Sequence, residues 1–360
     1  MQTTFSKILV AASVLALVSC KEWHAQINTE VSRDGSCVRT VTTSGDDYII
    51  MDPVWDYEYI CVPKDSTNEG NYVYVKPVGS DEPARRELDS IRTYILSARF
   101  ERVEDMSAHP ALQICGQPVT SETALSKRFK WFYTDYTFTE IFAGWQDNFN
   151  IPLTDYVTAD EASFWFTGYP ELTRGWTGKE IADFTSELQE KIEAWSLAMV
   201  WDIYFNTIAH FYDDLKNPPV DRETFLASRD TVIKMAFDRD VQFFDDDRDD
   251  LLEEYFKSDA FSKIDLNEDK YDLYSNTLYY RSLGMTILKV DYTLRMPGRV
   301  TDTGRGTVGD DGSLMYRFDG GFISPGDYTI TATSRCVNVW AFLLSGLVLV
   351  IAVGSFFIKR

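Results

Sequence analysis

The chain has three histidines, His24, His109 and His210. Imidazole is the commonest general base and metal ligand near neutral pH, so chemistry of that kind has few places to start. His210, Asp213 and Asp214 stand at i, i+3 and i+4, a spacing that puts one nitrogen and two carboxylates on a single helical turn, where they could meet a divalent cation. A polar helix face accounts for the same spacing. The sharpest acidic run is DRDVQFFDDDRDDLLEE, residues 238–254. Asp245, Asp247 and Asp249 match the first ligands of a calcium loop, but Asp250 stands where that loop turns on glycine and Phe256 where it closes on glutamate. DLNEDKYDLYSN, residues 265–276, fails in the same way at Lys270 and Asn276. HExxH, GxSxG and P-loop spacings are absent, and no serine or cysteine is visibly paired with a base. The expectation is a chain that is not an enzyme, with no catalytic, cofactor-binding or metal-ligating residues. Competing readings are a looser calcium site along 238–254 and a hydrolase with a dispersed carboxylate or metal site around His210.

Thiols offer the other chemistry. The chain carries Cys20, Cys37, Cys61, Cys115 and Cys336. Cys20 closes the tetrad LVSC after a leader in which Lys7 precedes an uncharged stretch, Ile8 to Val18. That is the charge and length pattern of an export signal. The tetrad resembles the lipobox of bacterial lipoproteins, in which the thiol takes up diacylglycerol as a thioether and small residues let the extended leader into the peptidase. Residues 1–19 then read as a lipoprotein signal peptide and Cys20 as the lipid attachment site; an ordinary cleavage site nearby is the alternative, and either way the rest of the chain is exported. Four cysteines remain for an oxidising compartment, and sequence does not choose among their pairings. Cys37 and Cys61 share one β-rich stretch and are the expected disulfide. No CxxC spacing supports a redox site or a zinc ribbon.

At the other end, Val339 to Ile358 is an uncharged run closed by Lys359 and Arg360. At about 1.5 Å per residue such a run matches a roughly 30 Å hydrocarbon core, and Trp340 sits where an interfacial aromatic belongs. The expectation is one C-terminal transmembrane helix, its last residues cytoplasmic by the positive-inside rule.

Charge limits the partners. The formal net charge is −21, which argues against nucleic acid and against a broad grip on anionic lipid. Residues 151–286 hold 13 basic and 29 acidic side chains, a balance of −16, whereas 287–360 hold 8 and 6, a balance of +2. The acidity belongs to the middle of the chain.

Periodicity supplies the elements that carry these residues. WHAQINTEVSRDGSCVRTVTTSG (23–45) reads as a hairpin turning at Asp34-Gly35 in a type I′ turn. Residues 46–90 are irregular, with a short strand at 71–75. RTYILSARFERV (92–103) and KRFKWFYTDYTFTEIF (127–142) read as strands, the second aromatic on both faces and so expected under a helix. A helical region starts near 154. Thr177 and Glu180 form a capping box for a long amphipathic helix ended by Pro218-Pro219; a second helix runs from Asp221 to about Ala236, and two more follow. Strand signal returns over 285–300, 312–320 and 327–335. The fold class is α+β: an antiparallel sheet from the N- and C-terminal segments, a large helical insertion and one C-terminal transmembrane helix. The expected parts are the leader (1–19), a β-rich part (20–153), an acidic helical insertion (154–284), a second β-rich part (285–336), and the helix with its short cytoplasmic end (337–360).

The stretch MPGRVTDTGRGTVGDDGSLMYRFDGGFISPGDYTITATSR with the following apolar run resembles the LppM-type lipoprotein domain. The features concerned are Pro297-Gly298, Asp311-Gly312 and Ala332-Thr333-Ser334, with Cys20 and Asp34-Gly35 at the other end. A tryptophan that often follows the Asp-Gly turn is absent, and Tyr316 lies nearby. The resemblance covers about 40 C-terminal residues and a short N-terminal stretch, not the helical insertion. It implies a membrane-anchored α+β domain on the exported side, with lipid or envelope-component binding, and no enzyme activity. The chain is therefore expected to be a cell-envelope lipoprotein held at both ends on the outer face of the cytoplasmic membrane, a binding or scaffolding module for an envelope protein. A binder of lipid or another apolar ligand is the alternative, motivated by the aromatic segments WFYTDYTF and SFWFTGY.

Overall fold

The computed structural model describes residues 23–44, 48–63, 75–77, 90–239, 241, 247–262 and 269–358. The leader and Cys20 lie outside the described residues, as do 71–74 of the expected short strand and Asp245 of the acidic run. The chain is α+β and its described part forms two compact units. A β unit takes residues 23–143, 289–318 and 327–358, and a helical unit takes 144–288 and 319–326. The helical part thus begins earlier than residue 154, and a short later excursion joins it.

The β unit opens with β1 (Trp23–Val31), β2 (Cys37–Ser44), β3 (Asp56–Pro63), β4 (Val75–Pro77) and β5 (Ser90–Phe100). Then come the two-residue β6 (Gln113–Ile114) and β7 (Gln117–Pro118), followed by β8 (Ser121–Lys130) and β9 (Tyr133–Phe142). After the helical unit the chain returns as β10 (Leu288–Arg295), β11 (Arg299–Asp302), β12 (Thr307–Val308), β13 (Leu314–Asp319) and β14 (Tyr328–Val337). An eight-stranded sheet has the order β12-β13-β10-β1-β2-β5-β3-β4, which places C-terminal strands directly beside N-terminal ones. A second, four-stranded sheet is ordered β11-β14-β9-β8. Strict alternation builds the core between the sheets: Trp23, Ala25, Ile27, Thr29 and Val31 of β1 are buried and the residues between them exposed. Phe142 of β9 meets Tyr292 and Phe318 across that core.

The 127–142 segment is not one strand. It is the end of β8, a turn at Trp131-Phe132 and all of β9, in register from Ser121↔Phe142 to Lys130↔Tyr133. Nothing in Trp131-Phe132 announces a turn, since glycine, asparagine and proline are all missing.

The 32–36 connection also differs from a type I′ hairpin, which needs positive φ at both central residues. Only Gly35 has positive φ, +101°. Gly35 N–H donates to the Ser32 carbonyl at 3.1 Å, Ser32 N–H to the Ser36 carbonyl at 2.8 Å, and the Ser36 N–H and hydroxyl to the Asp34 carboxylate. The same set recurs at 309–313: Gly312 N–H to the Gly309 carbonyl, Gly309 N–H to the Ser313 carbonyl, and Ser313 to Asp311. Asp-Gly-Ser therefore encodes one loop twice: aspartate ties the next-but-one serine, and glycine supplies the left-handed step.

The expected Cys37–Cys61 disulfide does not fit the strand register. Cys37 opposes Phe100 and Cys61 opposes Arg92, on opposite flanks of β5. Those partners are eight residues apart on one strand, about 26 Å at strand rise, whereas a disulfide needs α-carbons within about 7 Å. Cys37 is instead a buried free thiol, and burial pushes its ionisation up to about 11.

The helical unit contains α1 (Ala159–Thr167), α2 (Gly178–His210), α3 (Arg222–Ala227), α4 (Arg229–Asp238), α5 (Asp247–Phe256), α6 (Asp269–Leu283) and the short α7 (Gly320–Ile323). Thr177 caps α2 and Glu180 returns the bond, as expected, and Thr158 with Glu161 does the same for α1. The helix expected over 221–236 breaks at buried Ser228. The exposed N-terminal turns of α2 give way to a stretch buried nearly all round, from Ala198 to Ala209. Trp201, Phe205 and Ile208 pack there against Phe225, Val232, Leu252 and Phe261. Within that stretch sits Asp202, buried and paired with Arg229 Nη1 at 2.6 Å.

The last helix, α8 (Val339–Ile358), continues from β14. Its side chains are described as far as Ser355. Among the described residues no helix is long and apolar enough to cross a membrane, so they do not carry the spanning expectation, which rests on the whole run to Ile358.

Candidate functional site

Two constellations in the β unit bring together side chains distant in sequence. The first is a buried ionic cross-link between the sheets. Arg39 faces inward from β2 and Glu140 from β9, because each falls on the inward phase of its strand. Arg39 Nη1 donates to Glu140 Oε1 at 2.9 Å and Nη2 to Oε2 at 2.6 Å, a bidentate pair. The remaining sites are filled: Arg39 Nε donates to the Thr29 hydroxyl at 3.1 Å, the Tyr292 hydroxyl to Glu140 Oε2 at 2.6 Å and the Ser121 hydroxyl to Glu140 Oε1 at 2.7 Å. Burial opposes the Arg39 charge, and the Glu140 carboxylate more than reverses that, raising the guanidinium further. Burial and then the Glu140 charge push the Tyr292 phenol far above its usual range. Arg39 therefore stays charged and the Tyr292 hydroxyl stays protonated near neutral pH.

A cavity of about 30 Å³ opens beside this pair, lined among others by Arg39, Trp55, His109, Ser121 and Phe142. It has the scale of a water molecule, far below the several hundred Å³ of a ligand pocket. His109 Nδ1 lies 2.9 Å from Asp52 Oδ2 at this site, an imidazole–carboxylate pair of the kind that serves a nucleophile. The nearby hydroxyls are committed elsewhere, Ser107 to Thr123 and Ser121 to Glu140. The arrangement has the base and its orienting acid without a hydroxyl given over to attack.

The second constellation is a stem where β14 becomes α8. Asn338 clamps the junction. Its backbone N–H donates to the Phe132 carbonyl at 2.9 Å, its Nδ2 to the Lys130 carbonyl at 2.9 Å, and its Oδ1 accepts from the Thr134 hydroxyl at 3.1 Å. The β8–β9 tip is thereby held against the first turns of α8. Phe129 stacks on Trp340 with centroids 6.2 Å apart, Trp131 meets Trp340 edge-on at 5.3 Å, and Phe132 meets Phe342 at 4.6 Å. Trp131 Nε1–H donates to Ser345 Oγ at 2.9 Å. Phe129, Trp131 and Phe132 nevertheless remain 59%, 46% and 41% exposed.

No family model, curated protein or solved structure matches this chain. The reading of the site rests on its own geometry.

Just behind the aromatic tip, Asp135 accepts from Arg335 Nε at 2.6 Å and Lys130 Nζ at 2.9 Å, and these two bonds hold its carboxyl at about 2. The folded value lies below the ordinary 3.8, so any stability from this ion cluster is present above that ordinary value and is lost as pH falls through the folded one. A carboxyl-detected NMR titration should find Asp135 among the last aspartates to protonate, and Asp135→Asn should flatten the acid limb of stability between roughly pH 4 and 2.

The structure disperses the other residues singled out from sequence. His210 stacks on Tyr274 at 4.1 Å, while Asp214 binds Lys270 Nζ at 2.7 Å, so the trio does not converge. Asp247 and Asp249 fall within helix α5 rather than in a calcium loop. Among the described residues no group of three or more His, Cys, Asp or Glu could hold a metal ion. Sequence reading passed over Arg39, Glu140 and Tyr292 altogether. Their signal was available: a cation and an anion, each on the apolar phase of an alternating strand.

The strand next to each proposed anchor also differs from expectation. β1 lies in the eight-stranded sheet and β14 in the four-stranded one. The Tyr136 hydroxyl donates to the Arg33 carbonyl at 3.2 Å, and Lys127 Nζ to the Asp34 carbonyl, so the 32–36 turn lies near the stem end of the β unit. β1 therefore starts, at Trp23, about 26 Å farther along its own axis.

Proposed function

We propose that this chain is a cell-envelope lipoprotein whose α+β ectodomain is held on the outer face of the cytoplasmic membrane, acylated at Cys20 and spanning once through α8. There it serves as a non-catalytic binding or scaffolding module for an envelope partner. The observation that carries this reading is the stem: an apolar helix whose described side chains are largely exposed leaves the β unit through an aromatic collar. Exposed valine, leucine and isoleucine along a helix need either a lipid or a protein to cover them, and the uncharged run to Ile358 matches a bilayer in length. The LppM-like terminal segments support the same location. The roughly 30 Å³ cavity favours scaffolding over acyl-chain binding at that place.

The test combines retention with capture. Cys20→Ala should leave the chain in the membrane fraction, and a further stop after Asn338 should release it. Crosslinking in intact membranes should yield a defined second protein. Release by Cys20→Ala alone would refute the spanning helix, and repeated recovery of the uncrosslinked chain would refute the scaffolding role.

A further inference from the structure

We infer that the β8–β9 tip is itself a membrane-insertion element, with Phe129, Trp131 and Phe132 seated at the headgroup–acyl boundary of the bilayer that α8 enters. This rests on the proposal that α8 spans. The argument is one of length. A hydrocarbon core of about 30 Å takes about 20 helical residues, and α8 has 20, Val339 to Ile358. None can be spared. Yet Trp131 reaches Ser345, six residues into that helix, or about 9 Å along its axis. Phe129 and Phe132 flank Trp340 and Phe342 over the same turns. Whatever medium surrounds the first two turns of α8 therefore surrounds the hairpin tip as well. Were the tip in water, the run beyond Ser345 would fall short of a crossing.

The chemistry of the tip suits that medium. Two phenylalanines and a tryptophan present both apolar rings and an indole N–H, the combination enriched at bilayer interfaces. Their substantial exposure is otherwise a cost to a hairpin in water. Lys130 and Arg335 lie just behind them and place cationic ends at headgroup level, partly offset by Asp135. The uncommon turn sequence also finds its reason here: Trp131-Phe132 is chosen for what the tip touches rather than for ease of turning.

The test uses the full chain carrying Cys115→Ser, reconstituted into phosphatidylcholine–phosphatidylglycerol vesicles. An environment-sensitive fluorophore is placed at Phe132→Cys, at Phe129→Cys in a separate protein, and at Leu349→Cys near the middle of α8. The same chain without an added cysteine gives the background. Lipids bearing a nitroxide near the top of the acyl chain should quench both tip positions about twofold, and lipids with the nitroxide at the chain centre should quench Leu349→Cys instead. Leu349→Cys quenched with both tip positions unquenched and water-like would overturn the insertion of the tip while leaving the span intact. An unquenched Leu349→Cys would overturn the span, and this inference with it. Two tip positions guard against the failure of either variant to fold.

Discussion

Glu140→Ala is expected to cost the β unit about 3–5 kcal/mol, the usual penalty for stranding one member of a buried ion pair. Arg39 would keep its charge in a site where its side chain is 8% exposed, with no carboxylate to meet it. The hydroxyls of Tyr292 and Ser121 would lose their acceptor in the same step. Urea unfolding of the full chain in detergent, followed by a probe confined to the β unit, should show the midpoint falling with little change in slope. The double variant Arg39→Met, Glu140→Leu should recover most of the loss, because apolar replacement of a whole buried pair is often nearly neutral. A double variant as damaged as Glu140→Ala would mean that the two sheets need this pair for more than the satisfaction of each other's charge.

Phe225→Ala should cost the helical unit a comparable amount, about 3–5 kcal/mol. Phe225 is fully buried and sits among Phe205 at 4.7 Å, Phe261 at 4.5 Å and Phe256 at 5.7 Å. Its removal leaves a cavity walled by other rings and also forfeits their edge and stacking contacts. The two substitutions share no partner and lie in different compact units. Combined, their effects should add within a few tenths of a kcal/mol, each moving its own probe. A Phe225→Ala protein whose helical probe melts where the parent does would refute the placement of this ring at the centre of the cluster.

How far this was readable from sequence depends on the range of the forces involved. Alternation in β1 and β14 is local and strong, because each strand has one dry face, and it located both. The Thr177–Glu180 cap is a four-residue pattern and was equally plain. The 131–132 turn was missed because turn chemistry is inferred from glycine, asparagine and proline, whereas here the turn is stabilised by docking on α8, more than 200 residues downstream. The Cys37–Cys61 pair failed for a related reason. Sharing a β-rich stretch says nothing about register, and an intervening strand set the two cysteines far apart. Of the candidate site, the cationic and anionic halves of the cross-link are separated by 101 residues, and only pairing of the inward phases across two sheets joins them. The acidic run drew attention by its composition, but a block of like charge is what a solvated helix surface also looks like.

The distance between the start of β1 and the stem gives the proposed double anchor a lever arm. Cys20 precedes Trp23 by three positions, a leash of about 10 Å at full stretch, against a strand offset of about 26 Å. An acyl chain at Cys20 could reach the bilayer that holds α8 only if the long axis of the β unit tips to within roughly 20–25° of the surface. Acylation would then act as a torque about the Asn338 clamp, converting a lipid on one thiol into a choice between a recumbent and an upright molecule.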